Sequence, residues 1–335
     1  MNLSIKIFLL SITFLTFILI FNNCKKEASG NLPDSIKYTN LFNTSLFYNK
    51  IDSNPQIDPN STTMVGSLID EAGKKGFFVV VKEWTVPVFY ADASTTKKDV
   101  RLTASWAPKK ILKNVPIPDF VQPDPQKDGS MVIIDEINGC IYDFFQFRYS
   151  ISGKISASWA NALPLNSDGI FPKGFSARGS GFELLQGVIW PQELESGIIN
   201  HALVFTYDHT KAGGPVKPAT ESDGTTKDSW AIPEGALVQL DPSLDLNSLD
   251  LTKYEMTIAK ALQDYGMYLC DDGGGLQLYA VNPISCKTNP YQNIWGDQKV
   301  VYLKKIPFDK FRVLKLPPQT NNEPEIVSNS CATYK

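Results

Sequence analysis

Histidine is the scarcest chemistry in this chain: only His201 and His209 occur. His201 opens the run His201-Ala202-Leu203-Val204-Phe205-Thr206-Tyr207, which reads as a strand. An imidazole titrates near neutral pH, so His201 could serve as a general base or a ligand. Carboxylates recur near predicted strand ends and loops: Asp135 beside the Asn138-Gly139 turn, Asp223 in a long polar loop, and Asp241 and Asp245 after it. Two carboxylates converging at about 5–9 Å would suit glycoside hydrolysis. Three with backbone carbonyls would suit calcium, although no DxDxDG spacing is present. His201, Asp135 and Asp223 are the candidate catalytic residues. Arg178, one of four arginines, sits in a Gly-rich loop and could grip a carboxylate or phosphate with both arms of its guanidinium. Trp159, Trp190, Trp230 and Trp295 border or lie in loops, where an indole can stack on a sugar ring. Trp190 and Trp230 join Arg178 and Asp241 as the candidate ligand-binding set.

Each residue also has a plainer reading. A histidine at a strand start can simply satisfy hydrogen bonds, and Asp223-Gly224 and Asp241-Pro242 are ordinary turn pairs. Tryptophans fill cores, and Arg178 can order its own loop through a salt bridge. There is no HExxH, GxSxG, P-loop or helix-opening GxGxxG, so no metal centre and no cofactor is expected. Lys and Arg number 32 against 35 Asp and Glu, with no basic face, which argues against nucleic acid as a partner.

The elements that must position these residues are mostly short and apolar. Strands are expected at 77–81, 84–90, 131–135, 140–147, 154–160, 201–207, 236–240, 267–270, 276–281, 300–303 and 311–316. Pro87 implies an edge strand or a bulge. Asn138-Gly139 signals one hairpin, and Asp271-Asp272-Gly273-Gly274-Gly275 a second. One helix is expected at about 252–265: Thr252 and Glu255 form a capping box, Tyr254, Ile258, Ala261, Leu262 and Tyr265 share a face, and Gly266 suits a left-handed cap. Residues 191–197 suit a single helical turn, and 116–129 and 208–230 read as loops. Many strands with one good helix predict a mainly-β fold, a β-sandwich or jelly-roll-like domain over 37–335, with an N-terminal subdomain to about 129 as an option.

The first 23 residues read as a signal peptide: one charge (Lys6), then a largely apolar 15-residue run from Ile7 to Phe21, then Cys24 and two lysines. That run covers about 22 Å as a helix, short of the ~30 Å hydrocarbon core. The expected outcome is a lipid on Cys24, a tether over 24–36, and a place in the cell envelope, on a membrane the sequence leaves open. The residues before Cys24 match a lipobox loosely, so plain cleavage and an uncleaved anchor remain alternatives. Four further cysteines, Cys140, Cys270, Cys286 and Cys331, suit an exported chain with one or two disulfides. Cys270 and Cys286, 16 residues apart, form the most natural pair, and Cys140 with Cys331 would then pin the C-terminus to the central sheet. Buried free thiols are the alternative.

Over about 130–280 the chain resembles a family of secreted bacterial proteins for which we know of no activity. The matching pieces include Val132-Ile133-Ile134-Asp135, Gly139-Cys140-Ile141-Tyr142, Ser180-Gly181-Phe182, Pro218-Ala219-Thr220-Glu221-Ser222-Asp223-Gly224, Ile232-Pro233-Glu234-Gly235-Ala236 and Ala261-Leu262-Gln263-Asp264-Tyr265-Gly266-Met267-Tyr268. The resemblance implies a shared extracytoplasmic fold and supplies no catalytic assignment. The function expected is an anchored lipoprotein that binds or processes carbohydrate. The alternative is a non-enzymatic envelope protein for protein contact or a structural role.

Overall fold

The computed structural model describes residues 32–39, 41–150 and 153–335. The leader, Cys24 and the tether as far as residue 31 lie outside the described residues. No helix among the described residues is long and apolar enough to cross a membrane.

The fold is mixed α/β, with three sheets and two helices of seven or more residues, and no sheet among the described residues closes into a barrel. The expected mainly-β sandwich or jelly roll with a single helix is therefore corrected. The helix the sequence hid is α1 (Ser61–Lys75). It carries Gly66 and Gly73 in its interior and lacks a side-chain cap, so its propensity is poor. Tertiary packing supports it instead: Met64, Val65 and Leu68 bury one face.

The strands are β1 (Phe77–Val80), β2 (Val88–Ala91), β3 (Lys97–Leu102), β4 (Ile111–Pro116), β5 (Met131–Asp135), β6 (Cys140–Phe145), β7 (Arg148–Tyr149), β8 (Ile155–Ala157) and β9 (Trp159–Pro164). After the short helix α2 (Pro191–Ser196) come β10 (Leu203–Tyr207) and β11 (Leu237–Leu240). Helix α3 (Lys253–Asp264) precedes β12 (Met267–Asp272), β13 (Leu276–Tyr279), β14 (Val300–Tyr302) and β15 (Phe311–Val313). The first sheet has the order β14-β1-β13-β10-β12-β11-β15, the second β2-β5-β6-β9 and the third β4-β3-β8-β7. The segment before residue 129 gives β1 to the first sheet and β2 to the second, so its strands are woven into sheets that later residues complete.

Side-chain alternation stacks these parts in four layers. Leu203, Phe205 and Tyr207 of β10 pack with α1 and α3, whose Leu68, Ile258 and Leu262 face them. Val204 points the other way, toward Val132, Ile134 and Ile141 of the second sheet. Met131, Ile133 and Phe144 face the third sheet through Val100, Leu112 and Ala157. The second sheet is thus covered on both faces, which is why β5 and β6 read as mostly apolar runs, interrupted in β6 by Asp143.

The Asn138-Gly139 hairpin forms between β5 and β6, and β2, led in by Pro87, lies at a sheet edge. Helix α3 begins at its capping box, with the Glu255 amide donating to Thr252 Oγ1 at 3.2 Å and the Thr252 amide to Glu255 Oε2 at 2.9 Å. The second expected hairpin is not one. β10 lies between β12 and β13, parallel to the former and antiparallel to the latter. The Gly-rich turn passes over the end of β10, where Thr206 Oγ1 donates to the Gly275 carbonyl at 2.8 Å. Gly275 holds a φ of 139°, open only to glycine.

Cys140 and Cys331 form a disulfide with Cα atoms 5.6 Å apart, which pins the C-terminal segment to the second sheet. Cys270 and Cys286 do not bond each other; both are buried free thiols. Cys270 lies in a strand whose partner β10 separates it from the segment leading to Cys286, so proximity in sequence does not become proximity in pairing.

Candidate functional site

An aspartate in the middle of an apolar strand is the local signal that the space between the first and second sheets is not wholly apolar. Asp143 alternates with Ile141 in β6 and so faces the first sheet. Its carboxylate accepts the Leu184 amide at 3.1 Å and stands against Glu183. Burial pushes the Asp143 carboxyl up to about 7, while the Glu183 contact, the Leu184 amide and Arg178 pull the other way. Burial and then the Asp143 charge raise Glu183 well above the usual carboxylate range. Two carboxyls side by side in a dry interior do not both ionise, so the pair keeps at least one proton near neutral pH.

Arg178, only 3 % exposed, supplies positive charge next to this pair. Its guanidinium donates to the carbonyls of Leu184 (2.7 Å), Gln186 (3.1 Å) and Glu183 (3.4 Å), and stands 5.3 Å from the Tyr279 ring centroid. The arginine therefore orders its own loop, as its plainer reading foresaw, through carbonyls rather than a salt bridge. It also lines a small cleft with Trp84, Asp124, Asp128, Asp271 and Tyr279. Trp84 is 38 % exposed and holds a φ of 61°, a backbone region that bulky side chains avoid. Lys127 Nζ stands 5.8 Å from its ring centroid. Asp124 is a structural pin: it accepts the Gln126 amide (3.0 Å), the Asn282 side-chain amide (3.2 Å) and the Thr85 amide (3.3 Å).

Three loops meet at the end of β12 and bring further carboxylates together. The Ser180 amide donates to the Cys270 carbonyl (3.2 Å), the Thr220 amide to the Ser180 carbonyl (3.0 Å) and the Gly235 amide to the Leu269 carbonyl (2.9 Å). A register shift between Phe205 and Thr206 sets Cys270 as an extra residue in β12, the kind of bulge that re-aims the next side chain. The result is a carboxylate triad: one oxygen each from Asp223, Glu234 and Asp271 lies within 4.8 Å of the other two. Burial, with Asp223 adding and Arg178 opposing, raises Asp271 well above the usual carboxylate range. Burial, then Asp223 and Asp271, does the same for Glu234.

Of the residues proposed from sequence, Arg178 and Asp223 fall at this site, and the others are dispersed. His201 is buried in a separate pocket with Tyr38, Tyr48 and Trp190, its Nε2 3.0 Å from Glu193 Oε1 and its Nδ1 2.9 Å from the Ala202 carbonyl. Asp135 closes its turn by accepting the Asn138 amide (3.1 Å) and side-chain amide (2.7 Å). Trp190 is buried as the residue preceding α2, its ring edge-on to Tyr38 at 5.5 Å. Trp230 packs edge-on to His209 at 5.2 Å, beside the helix-side core. Asp241 accepts the Ser243 amide and hydroxyl (2.9 and 2.8 Å), an Asx turn. His201, Asp135 and Asp223 thus stand in three separate surroundings: the Glu193 pocket, the β5–β6 turn and the carboxylate triad. Cys270, whose thiol burial pushes up, is an inert core residue.

The residues missed were Asp143, Glu183, Glu234 and Asp271. Asp143 was findable as the lone charge in Cys140–Phe145; Asp271 was read as part of a hairpin turn, which hid it. No family model matches the chain, and no curated protein or solved structure does either, so the chemistry of the site rests on its own residues.

Proposed function

We propose that this protein is a lipid-anchored extracytoplasmic lipoprotein that binds carbohydrate in the cleft formed by Trp84, Arg178 and Asp271. The observation that carries the reading is the pairing of a partly exposed indole with a buried arginine and a carboxyl in the lining of one cleft. A sugar ring presents an apolar C–H face to an indole and hydroxyls to charged acceptors and donors. The leader and Cys24 support an extracytoplasmic, membrane-tethered setting. The pieces on which the family resemblance rests, 180–182, 218–224 and 232–236, are also the ones stitched together at the end of β12.

The test is a thermal-shift screen of the detergent-purified full chain against oligosaccharides and cell-wall fragments. A ligand bound only by the folded state raises the melting temperature by mass action. The expected result is a dose-dependent rise with one glycan class that disappears in Trp84→Ala. A flat response across a broad panel, from folded protein, would overturn the carbohydrate reading.

A further inference from the structure

We propose that Asp223, Glu234 and Asp271 form a binding site for one calcium-sized divalent cation. The inference goes beyond the carbohydrate reading and does not depend on it. Ca²⁺ binds oxygen at about 2.4 Å, so two of its ligands lie at most about 4.8 Å apart. The three carboxylate oxygens here fall within that span of one another without any movement. A Mg²⁺ ion demands near-octahedral geometry and gives up its waters reluctantly, so three carboxylates from separate loops favour the larger, more adaptable ion.

The second observation is a buried oxygen with no partner. Glu234 is 0 % exposed. Its Oε2 accepts the Asp223 amide at 3.2 Å, but its Oε1 has no hydrogen-bond partner among the described residues. A buried carboxylate oxygen left unpaired is strongly disfavoured unless a proton or a cation meets it. Oε1 points into the triad: a Cβ built on Gly179 would lie 2.9 Å from both Glu234 Oε1 and Asp223 Oδ1. Residue 179 is glycine because the loop carrying Arg178 runs directly against these two oxygens.

A second acidic cluster shows what a neutralised version looks like. Glu71, Asp208 and His209 also bring their ligand atoms within 4.8 Å. There Lys75 Nζ lies 3.1 Å from Glu71 Oε1 and 2.5 Å from Asp208 Oδ2, so an ammonium already fills the position a cation would take. At the Asp223 triad the charges acting on Glu234 are both negative, and Arg178 spends its hydrogen bonds on the 183–186 carbonyls. Asp223 reaches solvent while Glu234 does not, so an ion has an entry side and a buried anchor.

The experiment titrates CaCl₂, and separately MgCl₂, into chelator-stripped full chain by calorimetry, with no carbohydrate present. The expected result is one Ca²⁺ per chain, a melting temperature that rises with Ca²⁺, and Mg²⁺ affinity at least tenfold weaker. Glu234→Gln and Asp271→Asn are expected to weaken Ca²⁺ at least tenfold. Gly179→Ala, which removes no ligand, is expected to do so as well by displacing two of them. Glu71→Gln is expected to leave binding unchanged. Absence of Ca²⁺ binding by the wild-type chain at millimolar concentration would overturn the proposal whether or not the variants fold. Loss of binding in Glu71→Gln with retention in Glu234→Gln would overturn it too.

Discussion

Both ring nitrogens of His201 lie against oxygen atoms, Nε2 3.0 Å from Glu193 Oε1 and Nδ1 2.9 Å from the Ala202 carbonyl, so an imidazolium can donate to both. Burial works against that charge, but the Glu193 carboxylate and the Ala202 carbonyl together raise its pKa. The pair therefore stabilises the fold at acidic pH, and that contribution is lost as pH rises through the raised folded value. His201→Ala leaves the buried Glu193 with only the Trp190 amide (2.9 Å) and the Tyr38 hydroxyl (3.5 Å) and no cation, and should cost about 3–5 kcal/mol in urea unfolding. A variant as stable as the wild type would instead return His201 to the functional candidates. The Asp143–Glu183 pair gives a dependence of the same sign. Its neighbours are Arg178, which opposes the rise, the Leu184 and Leu185 amides, and the phenol of Tyr334. With Asp143 near 7 when folded and near 4 when unfolded, the folded chain holds more protons across that window. Stability accordingly falls as pH rises from about 4 to 7. Asp143→Asn keeps an oxygen for the Leu184 amide and removes one titrating carboxyl. It should flatten melting temperature against pH in that window and raise it at pH 8. An unchanged slope would mean the pair does not share a proton.

At the scale of elements, legibility followed local chemistry. Helix α3 was visible because its capping box, apolar face and Gly266 all lie within fifteen residues. Helix α1 was invisible because Gly66 and Gly73 weaken a pattern that only α1's contacts with β13, β15 and the turn before β15 rescue. A Cβ at either glycine meets nothing within 4 Å, and neither holds a positive φ. Gly66→Ala and Gly73→Ala should each stabilise the protein by about 0.8–1 kcal/mol, read as a higher urea midpoint. Destabilisation by either would mean that α1 is packed more tightly than its open glycines indicate. The β12–β13 segment failed for the opposite reason. Its Gly-rich turn looks like a local hairpin, but the strand inserted between its arms comes from sixty residues upstream, and no local signal reports that. Asp271 went unread as a site residue with it.

Across the whole molecule, the layers explain why a mixed fold reads as an all-β one. A sheet covered on both faces yields unbroken apolar strands, and a strand such as β10 looks the same whether helices or another sheet cover it. The carboxylate triad shows the same limit, since Asp223, Glu234 and Asp271 come from three segments that only the closed layers unite. The C-terminus closes the last layer. Lys335 and Thr333 carbonyls accept the amides of Lys110, Ile111 and Lys113, which adds the tail to the β4 edge of the third sheet. The Cys140–Cys331 disulfide holds that tail across a separation of 191 residues. In the chain-entropy picture a loop of that size contributes about 5 kcal/mol by restricting the unfolded chain. Cys331→Ser should therefore lower the melting temperature by roughly 10 °C. It should also speed hydrogen exchange at Ile111 and Lys113 beyond the change at β10, because the tail loses its tether before the core loses its packing. Uniform acceleration across the molecule would show instead that the tail and the central layers open as one unit.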